Sequence, residues 1–138
     1  MAQANVELLE NLINGARTLD KDALLANLPA FIAEVCDPEI EWVEDRSRAD
    51  ARVFRGHEGV RESWERWLEG FEQYGFEVEG IEDHADRVLV TAVEHGRGRA
   101  SGVDVSARIY IVCTFRAGKV LRYEEFHAEQ DARAAVES

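Results

Sequence analysis

The sequence predicts an α+β fold, in which helices from the first half of the chain sit inside a curved antiparallel sheet built by the second half. Three patterns carry this expectation. Val103, Val105, Ala107, Ile109, Ile111, Cys113 and Phe115 alternate along one face of a long strand, with Arg108, Tyr110, Val112 and Thr114 on the other. Val60, Trp64, Trp67, Leu68 and Phe71 recur at helical spacing and mark the strongest amphipathic helix. Gly96, Gly98, Gly102 and the Ala117-Gly118 pair punctuate the second half at hairpin intervals.

From the N-terminus, Val6, Leu9, Leu12 and Ile13 share one face of a first helix. A second begins after a break at Thr18-Leu19-Asp20 and buries Leu24, Leu25 and Leu28. Pro29 either interrupts it or opens a third short helix carrying Phe31, Ile32 and Val35, and Asp37-Pro38 ends the helical region. Glu39–Val43 reads as a short strand with Ile40 and Trp42 on one side. The charged, aperiodic stretch from Asp45 to Ala51 is a loop. Gly56 and Gly59 bracket the start of the amphipathic helix, whose pattern runs to about Tyr74. A strand over Phe76–Glu79, a turn over Asp83–Asp86 and a strand over Arg87–His95 follow. Then come the long strand, a last strand through Leu121–His127 and an alanine-rich helix over Ala128–Val136. With 46% hydrophobic content, three Trp and six Phe, residues 1–138 suffice for one core and are expected to form a single domain.

Sixteen basic residues against 28 acidic ones leave a net charge of −12. Such a field repels nucleic acid and anionic membranes, so neither is an expected partner. No apolar run approaches the roughly 18 residues of a membrane helix, and no signal peptide is recognisable. Cys36 and Cys113 stand apart without metal-ligand spacing, which points to buried thiols, a reducing cytoplasmic compartment and no metal. The glycines between 96 and 102 precede no helix, so they make no dinucleotide fingerprint, and no cofactor is expected.

The long strand is apolar on both faces. Helices of the same chain would cover one face and a second subunit the other, with Tyr110 and Val112 in the contact of a homodimer formed through the sheet.

Candidate chemistry concentrates near the C-terminus. Tyr123, Glu125 and His127 alternate on one face of the last strand, where a carboxylate and an imidazole two residues apart reach one cavity and tune each other for proton transfer. The same spacing also suits a solvated face, or a buried carboxylate that merely satisfies the histidine. Glu94 ends an apolar face with Val88, Val90 and Ala92, and is either a rim residue or held inside. Trp42, Trp64, Trp67 and Phe71 are singly ordinary core residues, but together they would line an apolar cavity between sheet and helix.

Three segments resemble the SnoaL-like branch of the nuclear transport factor two-like superfamily. They are Phe54-Arg55-Gly56-His57-Glu58-Gly59-Val60-Arg61, Trp42 after Asp37-Pro38-Glu39-Ile40, and Gly98–Val105 followed by Cys113–Val120. The resemblance spans about Val6 to Ala135. It implies a conical α+β barrel with a pocket between sheet and helices, and usually a dimer through the sheet. The superfamily includes ketosteroid isomerases, polyketide cyclases, epoxide hydrolases, dehydratases and non-catalytic modules. Matching to the isomerases places their base near Trp42, their oxyanion tyrosine near Leu12 and their oxyanion aspartate near Ile111; none is retained, so that steroid chemistry is not implied.

The same matching turns Glu94, Tyr123, Glu125 and His127 toward the cavity beside Val90, Ala92, Ile109, Ile111 and Cys113. SnoaL-type cyclases use a single acid–base residue without metal or cofactor. The expectation is therefore a pocket for a small apolar or amphipathic molecule. It would serve a cofactor-free isomerase, cyclase, dehydratase or hydrolase, with Glu125 or Glu94 as base, His127 as acid or orienting partner and Tyr123 as hydrogen-bond donor. The alternative is a ligand-binding or dimeric interaction module without turnover.

Overall fold

A computed structural model describes residues 21–137. The first expected helix, including Leu12, lies outside the described residues. In chain order the elements are α1 (Lys21–Val35), β1 (Cys36–Val43), β2 (Val53–Arg55), α2 (Gly56–Glu69), β3 (Phe71–His84), β4 (Arg87–Gly98), β5 (Asp104–Arg116), β6 (Lys119–Phe126) and α3 (Glu129–Glu137). The strands form one open sheet in the order β2-β1-β6-β5-β4-β3. Every pairing is antiparallel except β1 with β6, which is parallel. The sheet is antiparallel as expected except at that junction, where β1 enters from the helical layer and joins the outer side of the last strand.

Pro29 does not divide α1. The helix runs through it and buries Leu28, Ile32 and Val35, an apolar stripe that holds the turn across the missing N–H. β1 starts directly at Cys36, and Pro38 sits where its register with β6 shifts, the irregular position that tolerates a residue without a donor. Asp37 braces this bulge: its carboxylate accepts the Glu39 N–H at 2.8 Å and two bonds from Arg116 at 3.0 and 3.2 Å.

Gly56 opens α2 at φ +72, in the left-handed region that a side chain would strain. His57 Nε2 donates to the Cys36 carbonyl at 2.8 Å and ties this helix start to β1. α2 ends at Glu69, five residues before the predicted end. Phe71 has the helical spacing, but its backbone pairs with Gly98 in the β3–β4 ladder, and Gly70 closes the helix by donating to Trp67 O at 3.3 Å. The three-residue β2 was not anticipated; it pairs with the end of β1. Ala117 and Gly118 both adopt positive φ, as the tight β5–β6 turn requires.

The main core joins α1, α2 and the inner sheet face through residues such as Ile32, Ile40, Val60, Val88 and Phe115. Two expectations for β5 are corrected. Val103 precedes the strand and is 56% exposed, and Val105 is 50% exposed, because the start of β5 overhangs the core alongside only the far end of β4. On the outer face Val112 is 1% exposed, but its cover is α3: Leu89, Val112, Ala132 and Val136 form a second core with Tyr110 and Phe126 against it. Val112 therefore needs no second subunit to be buried. No helix among the described residues is long and apolar enough to cross a membrane.

Candidate functional site

Alternation on four strands determines the cavity wall. Trp42 on β1, Tyr123 and Glu125 on β6, Ile109, Ile111 and Cys113 on β5, and Val90 and Ala92 on β4 project from the same sheet face. Their register places them side by side: Trp42 opposite Tyr123, Cys113 opposite Tyr123, Ile111 opposite both Glu125 and Val90. α2 closes the other side with Trp64 and Trp67, one helical turn apart. The space between sheet and helix, open on one side, is about 130 Å³.

Aromatic rings dominate this space. Trp42 and Tyr123 stack with centroids 3.6 Å apart and an interplanar angle of 2°. Trp64 stands inclined to Trp42 at 6.3 Å and 55°, and to Tyr74 at 6.3 Å and 70°. Trp67 meets Tyr74 edge-on at 6.1 Å. The indole N–H of Trp64 is buried and has no hydrogen-bond partner among the described residues.

Four acidic side chains cluster in and around the wall. Glu125 lines the cavity and makes no hydrogen bond or ion pair among the described residues. Burial, then the nearby Glu94 carboxylate, push its pKa up to about 7, against the opposing pull of His127 and Arg48. Glu94 is not part of the wall itself; it is held behind it by Tyr74 Oη, which donates to Oε2 at 2.6 Å. Burial, and then the same carboxylate, drive the Tyr74 hydroxyl far above its ordinary range, so it stays a donor. Tyr123 is likewise raised well above the ordinary phenol range, by burial first and Glu125 next.

His127 also lies outside the wall, just beyond the end of β6. Its Nδ1 bonds the Asp45 carboxylate, and its Nε2 stands 3.9 Å from Glu94 Oε1. Burial alone would raise Asp45, but the Ser47 N–H and His127 outweigh it and hold this carboxyl below its ordinary value. Glu44, on the wall, accepts from Ser63 Oγ at 2.9 Å, the Arg52 N–H at 3.1 Å and Arg48 at 3.3 Å. Cys36 and Cys113 are both on the wall, with thiols pushed up to about 12 by burial. Among the described residues no group of three His, Cys, Asp or Glu is arranged to hold a metal ion.

The structure thus brings Trp42, Trp64, Trp67, Val90, Ile109, Ile111, Cys113, Tyr123 and Glu125 to one cavity, with Glu94 and His127 at its polar margin. Glu44, Asp45, Arg48, Ser63 and Tyr74 were not anticipated. A signal existed for Glu44, which continues the inward alternation of Ile40 and Trp42. Asp45 and Arg48 sit in a loop whose charge pattern matches any solvated loop.

An open curved sheet, helices against its concave face and an aromatic cavity between them define the nuclear transport factor two-like class of α+β proteins. Within it, the chain belongs to the SnoaL-like domain family, whose model matches residues 18–123. Solved structures with the same fold include Bal32a from a soil-derived mobile gene cassette, with a TM-score of 0.74 at 16% identity, covering 98% of this chain and 97% of that one. TerC, co-crystallised with polyporic acid, has a TM-score of 0.72 at 18% identity over 98% and 99% of the two chains. A SnoaL-like polyketide cyclase, so described, from Jannaschia sp. CCS1 has a TM-score of 0.72 at 18% identity over 99% and 93%. No curated protein sequence matches the chain.

Proposed function

We propose that this protein binds a small, largely apolar molecule in the aromatic cavity and moves a proton on it without a cofactor, with Glu125 as general base. The observation that carries this reading is Glu125 itself: a carboxyl on the wall of an aromatic cavity, without a hydrogen-bond or ion-pair partner among the described residues, whose pKa of about 7 suits proton abstraction at neutral pH. Tyr123 offers a phenol donor to an oxygen of the bound molecule, while the single O–H of Tyr74 is engaged by Glu94. Asp45 orients His127, which stands beside Glu94 and would return the proton. The polyporic acid bound to TerC and the cyclase description of a second neighbour agree with an aromatic or polyketide-like ligand. A cavity of about 130 Å³ accommodates roughly one six-membered ring, since a 150 Å³ cavity holds benzene.

Acetophenone tests the reading, because it carries one such ring, with a short acetyl group that can point toward the open side, and acidic protons beside its carbonyl. In heavy water the protein should accelerate exchange of its methyl protons by about a hundredfold or more over buffer, and Glu125→Gln should abolish the acceleration. Acetophenone that quenches tryptophan fluorescence without any exchange would leave a binding module, the reading that the architectural character of the sequence motifs favours. The homodimer through the sheet also belongs to this proposal, with its contact moved from Val112 to the charged outer ladder of Glu41, Arg122 and Glu124. Light scattering that finds a monomer at micromolar concentration rejects it.

A further inference from the structure

The cavity combines two features that a purely apolar ligand leaves unused. Its rings are not a flat stack alone: Trp42, Trp64 and Tyr74 all line the cavity, with Trp64 inclined at 55° to Trp42 and 70° to Tyr74 and centroids 6.3 Å apart, so they surround it in differing orientations. Inclined ring faces around a small space are the arrangement that attracts a cation by the negative potential of each face. One cation of the protein already uses a neighbouring ring, since the Arg48 guanidinium lies 4.9 Å from the centre of the Trp67 ring.

The charges of the wall point the same way. Glu44 and Glu125 are its carboxylates and Arg48 its cation. Arg48 is already matched by Glu44 at 3.3 Å and Asp50 at 3.2 Å. Among the described residues the Glu125 carboxylate has no such partner, and just behind the wall the basic side chain that meets Glu94 and Asp45 is His127, with Tyr74 Oη donating to Glu94 and the Ser47 N–H to Asp45. An anion entering here meets more carboxylates than cations, since Glu44, Glu125, Glu94 and Asp45 stand against Arg48 and His127, while a neutral molecule leaves the Glu125 carboxylate without an ion pair. A cation answers both the rings and the carboxylate. The net charge of −12 adds a field that draws cations toward the protein from a distance.

We infer that the ligand carries a quaternary or protonated amine, which rests among Trp42, Trp64 and Tyr74 with Glu125 as its counter-charge. This rests on the cavity being a ligand site, as proposed above.

Choline and its neutral carbon isostere, dimethylbutanol, separate charge from shape. Their dissociation constants would be measured by calorimetry and tryptophan fluorescence at a pH above that at which Glu125 ionises. Choline should bind about tenfold or more tightly than dimethylbutanol. Glu125→Gln should bring the two within about threefold of each other by weakening choline alone. Trp64→Leu, a second and independent variant, should likewise lower the preference, and circular dichroism checks that both variants fold. Equal or tighter binding of dimethylbutanol, or a preference for choline that survives both substitutions, overturns the inference. Acetophenone in the same assay tells the two failures apart. If acetophenone and dimethylbutanol bind but choline does not, the amine inference falls and the ligand site stands; if none of the three binds, both fall.

Discussion

Tyr74 Oη donates to Glu94 Oε2 at 2.6 Å, diagonally across the β3–β4 ladder, in which Tyr74 pairs with Gly96 and Glu94 with Phe76. The bond fixes the carboxylate behind the cavity wall and the phenol ring on it. Tyr74→Phe keeps the ring and removes the donor, leaving a largely buried carboxylate oxygen short of a partner. We expect a loss of about 1–3 kcal/mol of unfolding free energy, read from urea denaturation. Glu94→Gln, whose amide oxygen can still accept, should cost less than Tyr74→Phe.

Glu125 is expected to make stability fall toward alkaline pH. Its carboxyl titrates near 7 in the folded protein against an ordinary 4.5, so the folded state holds the proton more tightly than the unfolded one. That contribution is complete below the unfolded value and is lost as pH rises through about 7, and a shift of this size is worth on the order of 3 kcal/mol. Glu125→Gln removes it. The variant should therefore gain on the wild type between about pH 5 and pH 8 in urea unfolding, and parallel pH profiles would show that the carboxyl ionises without penalty.

How much of this could be read from the chain depended on the range of the interaction. Inward alternation is local, so Ile109, Ile111 and Cys113 on β5 and Tyr123 and Glu125 on β6 were visible as one face. The end of α2 was not. Phe71 satisfies the helical period, and only its pairing with Gly98 across the hairpin makes it a strand residue. Asp45 was hidden for the same reason, since the histidine it orients is 82 residues away in sequence. The two apolar faces of β5 were correctly recognised, yet local pattern does not say whose side chains cover the outer one.

Gly96 lies against the Phe71 ring, which packs behind two residues of the cavity wall. A Cβ there would lie 2.6 and 2.7 Å from two ring carbons of Phe71, and that ring packs at 5.1 Å against Trp67 and 5.3 Å against Tyr74. Gly96→Ala should displace Phe71 and disturb both wall residues, at a cost of about 1–3 kcal/mol typical of overpacking. Tryptophan emission should shift with it. Unchanged emission and stability would mean that Phe71 has room to turn away.

The outer face of β5 gives the clearest separation between two accounts of the fold. If Val112 belonged to a subunit contact, Val112→Glu would yield a folded monomer with its C-terminal helix intact. In the structure Val112 lies against Leu89 on the sheet and Ala132 and Val136 on α3. A carboxylate placed there is buried within the same chain and must either stay unpaired or push the helix off. We expect Val112→Glu to cost at least about 3 kcal/mol and to release Glu129–Glu137 to rapid amide exchange, whatever the oligomeric state. Val112→Ala, which only empties space beneath the helix, should cost about 1–3 kcal/mol and leave the helix protected. A protected helix in the Glu variant would place the cover of β5 elsewhere, and would return this face to the subunit contact that its sequence suggested.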